Sequence, residues 1–154
     1  MDITFRDIIH KEFKTHKKVL EDTINYIEEP LIKASNVLTE GIRNNKKVLI
    51  CGNGGSSCDA QNMASELIGK YKKERIGLPA IALNDIPSIT AIANDYCFDF
   101  VFSRQVEALA QPGDIFIGIS TSGNSKNIIN AAFAAKNKEC TTIALTGATG
   151  GKLS

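Results

Sequence analysis

The chain has little of several residue types on which large classes of protein depend. It contains no Trp, 6% aromatic residues, two His and four Cys among 154 residues. No two Cys are spaced as CxxC, so the ligand pattern of a zinc finger is missing. The formal net charge is only +1, which excludes the cationic surplus on which nucleic-acid affinity depends. We therefore expect no nucleic-acid partner.

Long apolar runs are also missing from the sequence. No stretch approaches the ~20 apolar residues that a membrane-spanning helix needs, and residues 1–6 lack the basic and apolar segments of a secretory signal. We expect no membrane association and a cytoplasmic location. Cys51, Cys58, Cys97 and Cys140 are then expected to be free thiols. A reactive role stays open for Cys58, because it lies close to a predicted helix N-terminus.

The residues that are present are typical of one globular domain. A chain of 154 residues with 43% hydrophobic content can bury a core. Apolar residues between positions 3 and 27 recur mostly at helical spacing, and Pro30 fits the first turn of a second helix that continues to about Arg43. We predict two N-terminal helices within residues 1–45. The basic residues of 14–18 leave open an anion-binding patch or a solvated helix face.

From residue 46 onward, predicted strands and helices alternate. Short, nearly continuous apolar runs predict strands buried on both faces at 47–51, 79–83, 114–119 and 141–145. Helical spacing predicts helices at about 57–70, 88–94, 99–110 and 125–138. This order predicts an α/β fold, a three-layer αβα sandwich with a parallel sheet. We expect 1–154 to be a single domain with its α/β core in 46–154.

Two polar loops follow the first and third predicted strands. Residues 52–57 are Gly-Asn-Gly-Gly-Ser-Ser, and residues 120–125 are Ser-Thr-Ser-Gly-Asn-Ser. Ligands of such sheets bind beyond the carboxyl ends of the strands, where the free N–H groups of a helix N-terminus favour an anion. Either loop alone is equally consistent with a polar turn that caps a helix. Together they predict a phosphate site.

The composition of these loops narrows the choice of anion. Neither loop has the pattern GxxxxGK[ST] or GxGxxG, and no lysine is placed to reach a β- or γ-phosphate. A monophosphate therefore fits better than a nucleoside triphosphate. The candidate caps of the two following helices are Ser56 or Ser57 and Asn124 or Ser125.

Glu66 is the candidate acid–base residue. It lies on the helix predicted after the first loop, on the same face as Asn62 four residues earlier. If that face lines the cleft, Glu66 could move a proton between carbons; otherwise it is a surface glutamate. Asn94 and Asp95 end a short apolar helix, and either bind sugar hydroxyls or simply terminate the helix.

Beyond these features, the sequence resembles the bacterial phosphoheptose isomerases of the sugar isomerase (SIS) domain family. The resemblance runs in order over essentially the whole chain, and its motifs together are specific to this branch of the family. The segments that carry it are 48–56, 59–61, 66–71, 79–83, 93–96, 102–108, 118–125 and 145–147.

The resemblance implies a flavodoxin-like SIS domain with a five-stranded parallel sheet, in a cytoplasmic homotetramer. It implies interconversion of sedoheptulose 7-phosphate and D-glycero-D-manno-heptose 7-phosphate through an enediol, for the heptose of lipopolysaccharide or capsule. Glu66 stands at the family's catalytic glutamate, which is also a zinc ligand in members that bind metal. The implied phosphate-binding residues are Ser56, Ser120, Thr121, Ser122 and Ser125. The implied substrate contacts are Asn53, Gly54, Gly55, Asn94 and Asp95.

Two departures from the family bear on the chemistry. Asn62 stands where the family has a histidine four residues before Glu66, and Ser57 stands where relatives often have histidine. A neutral amide is a poor zinc ligand beside imidazole, so we expect weak or no zinc binding. Relatives also continue beyond the position of Ser154 into a helix that supplies a glutamine and a histidine. We therefore expect a truncated sequence that lacks the fifth strand.

These departures keep two other functions open beside the isomerase. One is a non-catalytic SIS protein that binds a phosphosugar or a protein partner. The other is an isomerase of a related phosphosugar. The isomerase-like Gly-Gly-Ser and Gly-Lys-Tyr segments favour the phosphoheptose isomerase.

Overall fold

A computed structural model describes residues 4–154. Its long first helix, α1, covers Phe5–Arg43. Four further α-helices follow: α2 (Gly55–Ile68), α3 (Ile86–Asp95), α4 (Ser103–Leu109) and α5 (Lys126–Asn137). The strands are β1 (Val48–Gly52), β2 (Ala80–Ala82), β3 (Ile115–Ser120) and β4 (Thr141–Thr146), and short 3₁₀ turns cover Phe98–Phe100 and Gly151–Leu153.

Helix α1 corrects the prediction of two separate N-terminal helices. Both predicted segments are helical, but they join into one helix with Pro30 in its interior. Proline removes one main-chain donor without changing the φ angle that a helix needs, so the surrounding helical residues carry the helix through it. Ile3, which the first predicted segment included, lies outside the described residues.

The chain divides into two compact units between Asn36 and Val37. The first unit contains most of α1, and none of its described residues, from position 4 to Asn36, is buried. The second unit contains the end of α1 and the whole α/β core. Within it, Val37, Leu38 and Ile42 pack against one face of the sheet.

All four strands are parallel, in the order β2-β1-β3-β4. Alternate residues of β1 enter two different cores: Val48 and Ile50 pack with α2, whereas Leu49 and Cys51 pack with the layer formed by α3, α4 and α5. Two buried faces explain why the sequences of β1 and β3, whose residues are all buried, are continuously apolar. The prediction of two buried faces is wrong for the edge strands: β2 has one buried residue and β4 has none. The predicted three-layer α/β fold is confirmed, and each predicted strand lies within two residues of its observed position.

The four cysteines are free thiols, as predicted. Cys51 and Cys140 are buried, and burial raises the pKa of both thiols. Cys58 and Cys97 are exposed. Within residues 4–154, no helix is both long enough and apolar enough to cross a membrane.

Candidate active site

The two polar loops begin side by side at the carboxyl edge of the sheet. The register of the parallel pair sets Gly52, the last residue of β1, against Ile119 of β3. The first loop starts with Asn53, and the second starts at Ser120, the last residue of β3. The predicted juxtaposition of the loops is therefore confirmed.

In the first loop, the chain turns from β1 into α2 almost without a spacer. A Cβ atom at Gly52 would lie 2.4 Å from the main-chain oxygen of Ser56, so only glycine lets the first turn of α2 fold over the strand end. The N–H of Ser56 donates to the Asn53 carbonyl at 3.0 Å. The tight turn brings the Ser56 side chain back to the strand end.

The predicted capping of α2 by Ser56 or Ser57 is wrong. The helix starts at Gly55, the capping position belongs to Gly54, and no side chain makes a cap hydrogen bond there. Both serines therefore lie one or two residues past the start of the helix, inside the first turn. The Ser57 hydroxyl instead accepts a hydrogen bond from Asn84 Nδ2 at 3.1 Å.

The second loop is stabilised by hydrogen bonds among its own residues. The Gly123 N–H donates to the Ser120 carbonyl at 2.9 Å, and the Asn124 N–H donates to Ser122 Oγ at 3.2 Å. Ser125 does occupy the capping position of α5, but its side chain makes no cap hydrogen bond. It pairs with the Ser120 hydroxyl at 3.1 Å, so both oxygens stay at the strand end.

The segment after β4 holds the second loop from behind. The Gly147 N–H donates to the Thr121 carbonyl at 3.0 Å, and the N–H groups of Lys152 and Leu153 both donate to the Gly123 carbonyl. Gly123 has φ +64, and a Cβ atom there would lie 1.8 Å from the main-chain oxygen of Gly150. The sequence did not reveal this contact, because the partners are main-chain atoms that any residue supplies.

The two loops line an open cavity of about 230 Å³. Its lining is one apolar side chain and six polar residues, none of them charged: Asn53, Ser56, Ile119, Ser120, Thr121, Ser122 and Ser125. The start of α5 follows directly at Lys126. Hydroxyl and amide groups at a helix N-terminus can bind a phosphate without a cationic side chain.

Asn127, which the sequence analysis missed, joins the two loops. Its amide and that of Asn53 exchange two hydrogen bonds, each 2.9 Å long, across 74 positions of sequence. Asn127 is 3% exposed. The available signal was a polar residue in the first turn of α5, beside the apolar Ile128 and Ile129, but its partner is evident only in three dimensions.

The remaining predicted site residues do not line this cavity. Gly54, Gly55, Asn94 and Asp95 are not among its lining residues, and Asn94 Nδ2 donates to the neighbouring Asp95 carboxylate at 2.9 Å. Glu66 is half-buried near the end of α2, about 15 Å of helical rise from Ser56. Each of these roles stays a prediction.

The main chain at Glu66 is nevertheless held firmly. Arg75 donates to the carbonyl oxygens of Glu66 at 2.6 Å and of Leu67 at 2.8 Å. These carbonyls belong to the last turn of α2, and the carbonyl groups of a last turn have no N–H partners within the helix. A cation at a helix C-terminus also interacts favourably with the helix dipole.

A zinc site at Glu66 would need further metal ligands close to its carboxylate. Zinc needs three or four Cys, His or carboxylate ligands at bonding distance. Residues 4–154 contain no group of three or more His, Cys, Asp or Glu that could hold a metal ion. Asn62, one turn before Glu66, is exposed and offers only a neutral amide.

Comparison with known proteins decides the family. The model of the SIS domain family matches residues 13–147. The chain belongs to this family. Within it, the chain is 54% identical over 149 residues to the phosphoheptose isomerase of Aliarcobacter butzleri, and the match covers 96% of this chain and 79% of that protein. It is 53% identical over 148 residues to the phosphoheptose isomerase of Helicobacter pylori strain 26695, with coverage of 96% and 77%.

Solved structures agree with this assignment of the SIS domain. The phosphoheptose isomerase of Neisseria gonorrhoeae superposes with a TM-score of 0.92 at 42% identity, over 97% of this chain and 79% of that one. The enzyme from Francisella tularensis gives 0.94 at 39% identity, over 98% and 80%. The predicted resemblance to the phosphoheptose isomerase branch is confirmed.

Proposed function

We propose that this chain is an aldose–ketose isomerase that interconverts sedoheptulose 7-phosphate and D-glycero-D-manno-heptose 7-phosphate. The observation that carries the proposal is the uncharged, hydroxyl-lined cavity between the two loops, in a chain that belongs to the phosphoheptose isomerase branch. The product supplies heptose for lipopolysaccharide or capsule. The activity belongs in the cytoplasm, where free thiols such as these four persist.

In this proposal the cavity binds the phosphate. Ser56, Ser120, Thr121, Ser122 and Ser125 donate hydroxyl hydrogen bonds to its oxygens, and the dipole of α5 favours its charge. Asn53, Gly54, Gly55, Asn94 and Asp95 contact the sugar. A 7-phosphate lies at the opposite end of the sugar chain from C1 and C2, so the reacting carbons are necessarily remote from the phosphate site.

Glu66 is the proposed base for the transfer between C1 and C2. Its carboxylate removes a proton from C1 of the ketose, and the C2 carbonyl oxygen takes up a proton to give the enediol. Return of a proton to C2, with loss of the proton on the C1 hydroxyl, forms the aldehyde. A positioned acid–base group typically contributes about 10²–10⁴-fold to such a rate.

We also propose that this chain binds zinc weakly or not at all. Asn62 supplies a neutral amide one turn before Glu66, and amides are poor zinc ligands beside imidazole. Equilibrium dialysis of the purified chain followed by metal analysis tests this. Stoichiometric zinc that disappears in the Glu66→Gln variant would contradict the proposal.

Substitution of Glu66 tests the catalytic assignment. We expect Glu66→Gln to abolish interconversion of sedoheptulose 7-phosphate, followed by NMR, while phosphosugar affinity stays within about threefold, because the amide keeps the shape and loses the base. The matched control is Glu74→Gln. It removes the same charge from an exposed ion pair with Lys70 and should leave turnover unchanged. Wild-type turnover in Glu66→Gln would exclude the role of Glu66.

A non-catalytic SIS protein is the second candidate, favoured by Asn62. The same NMR experiment separates the candidates. Binding of sedoheptulose 7-phosphate without product indicates a phosphosugar-binding regulator, and no binding at all indicates a protein-binding scaffold. Turnover of a different phosphosugar alone indicates a related isomerase.

We propose a homotetramer as the working assembly. The support is the amphipathic face of α1, where Phe13, Leu20, Ile27 and Leu31 recur at helical spacing and are 41–75% exposed. An apolar face that runs along several turns of a helix is costly to leave in water. A second copy of the same helix would cover it.

A further inference from the structure

We propose that Asn127 is a positioning residue for the substrate, acting through Asn53. This role rests on the proposed function, because it assigns the Asn53 amide to the phosphosugar. The structural basis is the reciprocal amide pair, which connects the first loop to the first turn of α5. Asn127 itself does not line the cavity, whereas Asn53 does.

The orientation of the Asn127 amide is set by the main chain. Its Oδ1 accepts a hydrogen bond from the Ile128 N–H at 3.0 Å as well as from Asn53 Nδ2. The oxygen must face these two donors, so the Nδ2 group faces Asn53 Oδ1, to which it donates. Because Asn127 is 3% exposed, water cannot readily replace either partner.

Asn127 in turn fixes Asn53. An amide has two N–H donors and two acceptor positions, and the pair uses one of each on Asn53. The second N–H of Asn53 remains for a ligand in the cavity that this side chain lines. If the Asn53 amide rotated by half a turn, it would present its oxygen where the N–H had been, and the phosphosugar would meet an acceptor in place of a donor.

This relay requires an amide at position 127 rather than a carboxylate. In the variant Asn127→Asp, the ionised carboxylate would still accept from the Ile128 N–H and Asn53 Nδ2. It would repel Asn53 Oδ1, however, and add a negative charge beside the phosphate site. A protonated carboxyl group has one donor and one acceptor, as the amide pair requires. Protonation of the new carboxyl group should therefore restore the pair of hydrogen bonds to Asn53 that its ionisation removes.

The test is the ratio of variant to wild-type KM for sedoheptulose 7-phosphate across a pH series, with inorganic phosphate titrated by NMR as a direct binding probe. For Asn127→Asp, we expect KM to rise about tenfold or more near pH 8. The rise should shrink as the pH falls toward 5, because burial raises a carboxyl pKa. Asn127→Ala, which has no titrating group, should raise KM without this pH dependence.

Asn130→Asp is the matched control, one turn further along α5. Asn130 Nδ2 donates to the Asp99 carbonyl at 3.0 Å, so the variant adds the same charge to the same helix and also removes a hydrogen bond. Its KM should stay within about twofold of wild type, since no bond to either loop is lost. A larger effect would show that charge on α5 alone is sufficient, and would overturn the positioning role.

Two further results would overturn the inference. One is an Asn127→Asp chain with wild-type KM and phosphate affinity throughout the pH series. The other is a folded Asn127→Asp chain whose loss of phosphosugar and phosphate affinity does not change with pH. Failure of the proposed function is distinguishable, because the wild-type chain would then give no product from sedoheptulose 7-phosphate. The phosphate titration of the same variants would still test the role of Asn127, and a wild-type chain that binds no phosphate would contradict both.

Discussion

At the residue scale, the carboxylate of Asp114, which lies away from the candidate site, accepts several hydrogen bonds. This buried group accepts from the N–H groups of Lys47 at 3.1 Å and Gln111 at 2.8 Å, and pairs with the Lys47 ammonium. Burial alone would raise the pKa of this carboxyl, but the bonds from Lys47 and Gln111 outweigh it and hold the pKa below its usual value. Asp114 thereby ties together the amino ends of β1 and β3, opposite the loops.

We expect Asp114→Asn to lower the free energy of unfolding by about 1.5–3 kcal/mol at pH 7, the usual contribution of hydrogen bonds to a charged group. A lowered pKa in the folded state stabilises the fold above the unfolded pKa, near 4, and this contribution disappears as pH falls through the folded value. Urea unfolding at pH 7 and in steps down to about pH 3 should show the two proteins converging.

Asp99→Asn is the control for this measurement. Asp99 lies 3.9 Å from the Lys126 ammonium in an exposed pair, so its loss should change stability by less than about 1 kcal/mol. A pH-independent difference between wild type and Asp114→Asn would contradict the electrostatic explanation.

Prediction from sequence at this scale depended on whether a residue's partner was local. The serines of 120–125 follow an apolar strand, and that local pattern was sufficient to place them at the anion site. Asn127 and Asp114 were missed because their partners, Asn53 and Lys47, are distant in sequence. Ser56 and Ser57 were assigned as caps because the helix start was placed two residues too late.

At the scale of elements, the second loop depends on the segment after β4. Gly123 sits between the loop and Gly150 with no room for a side chain. Continuous apolar runs predicted all four strands. For β1 and β3 the signal comes from burial on both faces, whereas β2 and β4 are partly or wholly unburied edge strands. Pro30 misled the helix prediction, because the usual preference of proline for a first turn yielded to an otherwise uninterrupted helical segment.

We expect Gly123→Ala to lower the free energy of unfolding by at least about 1–2 kcal/mol, the cost of a left-handed conformation for a residue with a Cβ atom. The clash with Gly150 must also displace the loop, so phosphate affinity should fall about tenfold or more. Urea unfolding and NMR titration with inorganic phosphate measure the two effects.

Gly55→Ala serves as the stability control for that loop variant. A Cβ atom at Gly55 meets nothing within 4 Å, and alanine is favourable in a helix, so the free energy of unfolding should be unchanged or slightly higher. Equal phosphate affinity in wild type and Gly123→Ala would show that the loop does not need the support of the segment after β4.

At the scale of the whole molecule, α1 presents its apolar face without a covering element in the first compact unit, as far as residues 4–36 describe it. Fold class and family were predictable, since the alternation of elements and the motifs span nearly the whole chain. The way in which copies assemble was predicted only through the resemblance, because an exposed apolar face does not specify how many partners cover it.

We expect Ile27→Glu to weaken assembly, since it places a charge on the apolar face of α1. Asn25→Glu adds the same charge about 160° around the helix and should leave assembly unchanged. Analytical ultracentrifugation of the three chains should show a tetramer for wild type and Asn25→Glu, and smaller species for Ile27→Glu. Identical masses for both variants would contradict the assignment of this face.

The pairing of β1 with β3 has a consequence for the order of folding. Strands that begin at Val48 and Ile115 must close a long loop before the phosphate site exists, and such non-local contacts form slowly. The ligand therefore meets no site on a partly folded chain. Bound phosphate should therefore lower the unfolding rate and leave the folding rate nearly unchanged. The substrate thus prolongs the lifetime of the native fold that binds it.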